Sequence, residues 1–163
     1  MPALVPIFLI LHILGAIIAF GPSFSLPILG RMIGAEPQHG NFGLRAALRT
    51  TDRIVIPVAL SMPITGVGLI WAAGWDLTAP ASRWLLLAIV VYVVALSIAL
   101  LLQRPTVKRL VDLTSSPPPA GSPPGPPPGV PEAAAAVRRN GLILQILIVV
   151  IVVLMVTKPS LGA

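Results

Sequence analysis

The sequence predicts an all-α integral membrane protein, a four-helix bundle running up-down-up-down with both termini outside. Three observations carry that prediction. The chain has 163 residues, of which 56% are hydrophobic and only 10% charged, with a mean hydropathy of +0.96. A soluble domain commits about a quarter of its residues to charge in order to coat its surface. Four apolar stretches carry no charge at all, and each approaches the ~20 residues needed to cross roughly 30 Å of hydrocarbon. Finally, the 11 Lys and Arg residues fall very unevenly between those stretches.

The first stretch, Leu4 to Leu29, has no Lys or Arg before it and is longer than a signal-peptide core, so it reads as a retained span. After it, Arg31 to Arg53 is polar, with Ala46, Ala47 and Leu48 set among Arg45, Arg49 and Arg53, a pattern suited to a short helix at the membrane surface. The second span covers Ile54 to Ala73 and the third Trp84 to Leu102. Between Ser115 and Pro131 nine residues are proline, and Gly, Ser and Ala supply most of the rest. Proline removes the backbone donor and the small residues have nothing to bury, so this is a cytoplasmic linker of extended or disordered chain. No basic residue stands beside its P-x-x-P steps, which speaks against a docking site for a proline-recognising partner. Pro131 then opens a short alanine-rich helix, Glu132 to Val137, that feeds the fourth span, Leu142 to Thr157.

Orientation follows from the basic residues. The first and third connections carry Arg31, Arg45, Arg49, Arg53, Arg104, Lys108, Arg109, Arg138 and Arg139, against Arg83 and Lys158 elsewhere. Cytoplasmic flanks collect Lys and Arg, so these two connections are expected inside and both termini outside. Trp71, Trp75 and Trp84 all fall at the outer ends of the second and third spans, where an indole buries its ring and keeps its N–H among the headgroups. Lys158, at the outer end of the fourth span, fits a membrane-interface anchor in the same way. The expected partners are the lipid bilayer and anionic inner-leaflet lipid. Nucleic acid is not among them, since the basic residues flank apolar spans and have no interleaved aromatic stacking partners.

Chemistry has few residues to work with. Without cysteine, disulfides, Cys-ligated metals and thiol catalysis are excluded, and His12 and His39 are the only imidazoles. No phosphate loop, His-Glu-x-x-His or nucleophile elbow is present, and the five acids lie singly. His12 is the one ionisable side chain squarely within a span, roughly 12 Å below the outer boundary, and Thr65, Tyr92 and Met155 fall near the same depth. Gly15, Ala16, Ala19 and Ser23 share its helical stripe, leaving a groove lined by small groups. Two readings of that groove stay open. Either helices close over it and His12 hydrogen-bonds to Tyr92 or Thr65, or it seats a tetrapyrrole with His12 as an axial haem ligand. Pro22 and Pro27 in the first span, and Pro57 and Pro63 in the second, predict kinks or wide turns. Arg53, at the inner entrance of the second span, is placed to meet phosphate headgroups or to pair with Asp52.

A family resemblance rests on four pieces in order. Leu11-His12-Ile13-Leu14-Gly15 followed by Phe20-Gly21 resembles the first-helix signature of a bacterial family of predicted integral membrane proteins, domain of unknown function 2269. Pro63-Ile64-Thr65-Gly66, Trp84-Leu85 with Tyr92, and Leu154-Met155-Val156-Thr157-Lys158-Pro159 agree with it, so the resemblance extends over all four spans. The long proline-rich linker and Pro22 beside Gly21 depart from the pattern. The resemblance implies a multi-pass protein of the bacterial inner membrane with no established activity. More distantly, a first-helix histidine in a small bundle is similar to membrane families associated with copper uptake and with haem-linked protoporphyrinogen oxidation. The methionine and histidine clusters that pass copper along are missing. The expected function is a non-enzymatic membrane component, as a homo-oligomer or the partner of a larger assembly, with no cofactor. The alternative is a haem-binding redox or porphyrin-handling protein that uses His12, with Met155 and Tyr92 beside it. A small-solute transporter ranks third for want of a charged intramembrane site.

Overall fold

The computed structural model describes residues 2–115 and 125–159, and no strand occurs among them. Six α-helices follow in order: α1 (Val5–Ala35), α2 (Pro37–Thr50), α3 (Ile56–Ala73), α4 (Arg83–Ile98), α5 (Arg104–Leu113) and α6 (Val130–Thr157). A π turn at Thr51–Val55 carries α2 directly into α3, and a second at Ala99–Gln103 carries α4 into α5. The result is four long helices, each apolar and long enough to cross a membrane. The proline-rich stretch 116–124 lies outside the described residues.

Each π turn stands immediately upstream of a proline, Pro57 or Pro105. The amides of Ile56 and Arg104 reach back five residues, to Thr51 and Ala99. A proline ring crowds the carbonyl four residues before it, and one widened turn relieves that contact without breaking the helix. At the opposite end, α3 stops where Gly74 adopts φ 68° and the Trp75 amide returns to the Ile70 carbonyl at 3.1 Å. Only a residue without a Cβ takes that left-handed cap cheaply.

Every apolar stretch seen in the sequence lies within a longer helix. The four run to 31, 35, 34 and 28 residues, about 42–52 Å at 1.5 Å per residue, well beyond the ~30 Å of hydrocarbon. The excess lies at the basic end, where α2, α5, the end of α1 and the start of α6 make a projecting head. Accordingly α2 is not a separate helix on the membrane surface. It continues the second span and packs on α1 and α5. Its small inward residues permit this, since a Cβ on Gly43 would stand 2.9 Å from Ile33 Cγ1. Asn41 Nδ2 meanwhile donates to the Val111 carbonyl at 3.0 Å and to Thr114 Oγ1 at 2.9 Å, at the end of α5. The short helix expected over Glu132–Val137 is likewise the first part of one unbroken α6, which starts after Gly129 at φ 86°.

Within the bundle, α1 packs most extensively on α3, and α4 on α6. Phe8 meets Gly68, His12 meets Gly66 and Gly15 meets Met62, so rising numbers on α1 face falling numbers on α3 and the pair is antiparallel. In the other pair Lys158 lies by Trp84, and Gln103 by Val137, again antiparallel. The two pairs join along α1 and α6, which pack together, and along a looser seam between α3 and α4 that side chains bridge, Tyr92 to Ala59 among them.

Candidate functional site

His12 sits half-buried on α1 against α3. Its Nδ1 is 2.8 Å from Thr65 Oγ1, and the Thr65 hydroxyl donates to the Met62 carbonyl at 3.0 Å. That hydroxyl has one proton to give, so the ring tautomer follows its choice: donation to Met62 makes His12 Nδ1–H the donor and leaves Nε2 a lone pair, whereas donation to Nδ1 puts the ring proton on Nε2. Nε2 makes no side-chain hydrogen bond among the described residues. Fixing one ring nitrogen so that the other presents a lone pair is how proteins orient imidazole ligands.

The groove beside it is not open. Met62 is buried and covers Gly15, so closely that a Cβ there would lie 2.7 Å from its sulfur, and Val58 stands next to it. Gly66 backs the imidazole, with a Cβ position 3.5 Å from Cε1. Between α1 and α3 the space beside the imidazole is thus taken up by Met62 and Val58 at Gly15 and by the backbone of Gly66. Among the described residues no three His, Asp or Glu side chains gather as a metal site.

Tyr92 does not turn to His12. Its hydroxyl donates to the Ala59 carbonyl across the seam between α4 and α3. Ala59 is four residues before Pro63, which has no N–H to return to it, so the tyrosine fills a vacancy that the proline creates. The other seam repeats the arrangement: Gln145 Nε2 on α6 donates at 2.8 Å to the Ser23 carbonyl on α1, four residues before Pro27. Hydrocarbon offers such a carbonyl no water, and a neighbouring helix supplies the donor instead. The hydroxyls of Ser25, Ser61 and Ser97 turn back on their own helices, to Pro22, Val58 and Val93 carbonyls at 2.9, 2.7 and 2.8 Å. Met155 is half-buried on α6.

Periodicity does not single out Gln145, yet two signals mark it: a lone amide inside an apolar run, and a proline in another span that orphans a carbonyl. At the basic end of the α3–α4 seam, Asp52 pairs with Arg104 rather than with its neighbour Arg53. The pair is bidentate, Nε to Oδ1 at 2.7 Å and Nη2 to Oδ2 at 3.1 Å. Both residues lie in or beside the π turns, at matching levels of adjacent helices.

The opposite end gathers three of the four expected anchors. Trp75 and Trp84 meet edge to face with centroids 5.3 Å apart, and Lys158 Nζ lies 5.4 and 5.8 Å from their ring centres. Cation–π attraction thus holds the end of α6 over the turn between α3 and α4. Trp71 stands apart and is 58% exposed on the outside of α3. In the same turn, the Thr78 hydroxyl and amide donate to Asp76 Oδ1 at 2.7 and 2.8 Å and hold its carboxyl below the usual range.

The family model for predicted integral membrane proteins, DUF2269, matches residues 6–159. The chain belongs to that family. It covers all four long helices, including His12, Thr65, Tyr92 and Gln145. No curated protein and no solved structure matches the chain.

Proposed function

We propose that this DUF2269 protein is a non-enzymatic component of the bacterial inner membrane, working as the partner of a larger membrane assembly with both termini outside. What supports this reading is how the intramembrane polar groups are used. Tyr92 and Gln145 each donate to a backbone carbonyl orphaned by proline, and the Thr65 hydroxyl lies between the Met62 carbonyl and His12. In transporters, broken helices offer such carbonyls to a solute. Here Ser23 and Ala59 are already satisfied, and no acid or base stands beside them to bind or move an ion. The bundle is built to hold its own shape and to present its surface. A tagged copy expressed from its own locus and extracted in mild detergent should migrate with a second membrane protein in constant ratio. Migration as a lipid-coated monomer at every expression level would count against an assembly role.

A second reading, haem bound through His12, has one observation in its favour: Thr65 holds Nδ1, and when the Thr65 proton goes to Met62 the Nε2 lone pair is free. Seating a macrocycle there needs α1 and α3 to repack or a second chain to supply the opposite face. If this reading holds, protein from haem-replete cells shows a Soret band that His12→Gln abolishes, because an amide is a poor iron ligand. A wild-type preparation with no such band removes it.

A further inference from the structure

The outward face of α2 has no role in the bundle. His39, Phe42, Arg45, Ala46 and Arg49 are exposed at helical spacing, while Gly40, Gly43, Leu44 and Ala47 turn inward. Phe42 is 70% exposed. Arg53 continues the same stripe below. No residue of α2 is acidic; Glu36 caps its far end before His39, and Asp52 is engaged by Arg104.

Height decides what can cover it. With Trp71 at one interface, 20 residues of helix place the other hydrocarbon boundary close to Arg53. Arg49 then stands about 6 Å beyond that boundary, Arg45 about 12 Å and Phe42 about 16 Å, whereas the headgroup layer is only about 5–7 Å deep. Arg53 and Arg49 meet lipid phosphate. Arg45 and Phe42 stand above it, so the bilayer the protein spans cannot bury that ring. A second copy would bring the same basic stripe against itself, and like charges facing one another disfavour that contact. Arginine beside an exposed aromatic ring is the composition in which interface binding energy concentrates, and its complement is acidic and apolar.

We infer that the outward face of α2, centred on Phe42 and Arg45, docks an acidic segment of a partner protein carrying an apolar side chain for Phe42. The inference rests on the assembly reading above and names the face and the partner chemistry. The test places a photo-crosslinking benzoylphenylalanine at position 42, which keeps an aromatic ring there, and in a separate chain at position 64, where Ile64 is 71% exposed on the membrane-facing side of α3. Illumination of native membranes should give one discrete protein adduct from position 42, mapped by mass spectrometry to a net-acidic segment. Arg45→Glu should cut its yield at least tenfold while Arg45→Lys retains it, and an unchanged Tm in both variants excludes unfolding as the cause. Adducts from position 42 to lipid alone, to a second copy of this chain, or to nothing each overturn the inference. So does tight binding of added phosphatidylglycerol vesicles by protein held in neutral nanodiscs, if Arg45→Glu abolishes it. Protein adducts from position 64 with none from position 42 would sink the docking face and leave the assembly reading standing. Silence at both positions would sink both.

Discussion

Gln145→Met tests whether a proline-orphaned carbonyl holds the two helix pairs together. The substitution keeps the length and volume of the side chain and removes the amide that reaches Ser23 O at 2.8 Å. Hydrogen bonds between membrane helices average about 0.6 kcal/mol and reach about 1.7 kcal/mol. Ser23 O belongs at the upper end, because Pro27 has taken away its own helical donor and the lost partner leaves a buried acceptor bare, at roughly 1–3 kcal/mol. The expected cost is therefore about 1.5 kcal/mol, roughly a twelvefold drop in the folded-to-unfolded ratio. Pro27→Ala supplies the decisive control, since an alanine in place of the proline restores an N–H aimed at Ser23 O. In that background Gln145→Met should cost almost nothing, and the double-mutant cycle should return a coupling of about 1 kcal/mol or more. Equilibrium unfolding in bicelles by steric trapping, read on the fluorescence of the tryptophans, gives all four stabilities. An equal cost with and without Pro27 would show that the amide acts on something other than the orphaned carbonyl, and the reasoning would fail. The same cycle between Tyr92→Phe and Pro63→Ala should give the same sign.

Two glycines on the α1–α3 interface should respond differently to Ala. At Gly68 the new Cβ overlaps the broad, half-buried Phe8 ring, which must swing aside as a rigid plane, so Gly68→Ala should cost about 1–3 kcal/mol; at Gly15 it meets the flexible end of Met62, and the cost should be clearly smaller in the same unfolding assay. Since the chain has no cysteine, single-cysteine labelling reads orientation directly. Thr78→Cys should label from outside intact cells and Ser115→Cys only after permeabilisation, and the reverse pattern would overturn the positive-inside assignment. Asp76 titrates below its ordinary carboxylate range because Thr78 hydrogen-bonds the charged form. Its folded pKa is the lower one, so its contribution to stability is present above the unfolded carboxylate pKa and fades as pH falls through the lowered value. Thr78→Val should move the Asp76 pKa upward in an NMR titration; an unmoved pKa would mean the hydroxyl is not the cause.

Much of the candidate site was readable one helix at a time. Depth counting put His12, Thr65 and Tyr92 on one level, and the His12–Thr65 bond is there. Tyr92, however, faces Ala59 rather than His12, because depth says nothing about which way a helix is rotated. The groove beside Gly15 allowed two readings for the same reason: small residues on α1 announce a close approach without naming the occupant, which is Met62. Asp52 illustrates the limit again. Sequence proximity suggested Arg53, but neighbours along a helix point about 100° apart, and Arg104 on the facing helix meets the carboxylate head-on.

By itself the sequence determined the class and the number of spans. Crossing hydrocarbon requires ~20 apolar residues in a row, and that is a property of the chain taken one segment at a time. It also determined where the helical ladder would lose a donor, since each proline names its own orphaned carbonyl four residues back. Only the tertiary structure decided who answers those carbonyls, that the helices run on past the apolar stretches into a basic head, and that Met62 closes the space beside His12. Those outcomes depend on the rotation and register of whole helices against one another, which many small contacts set together and no single residue encodes.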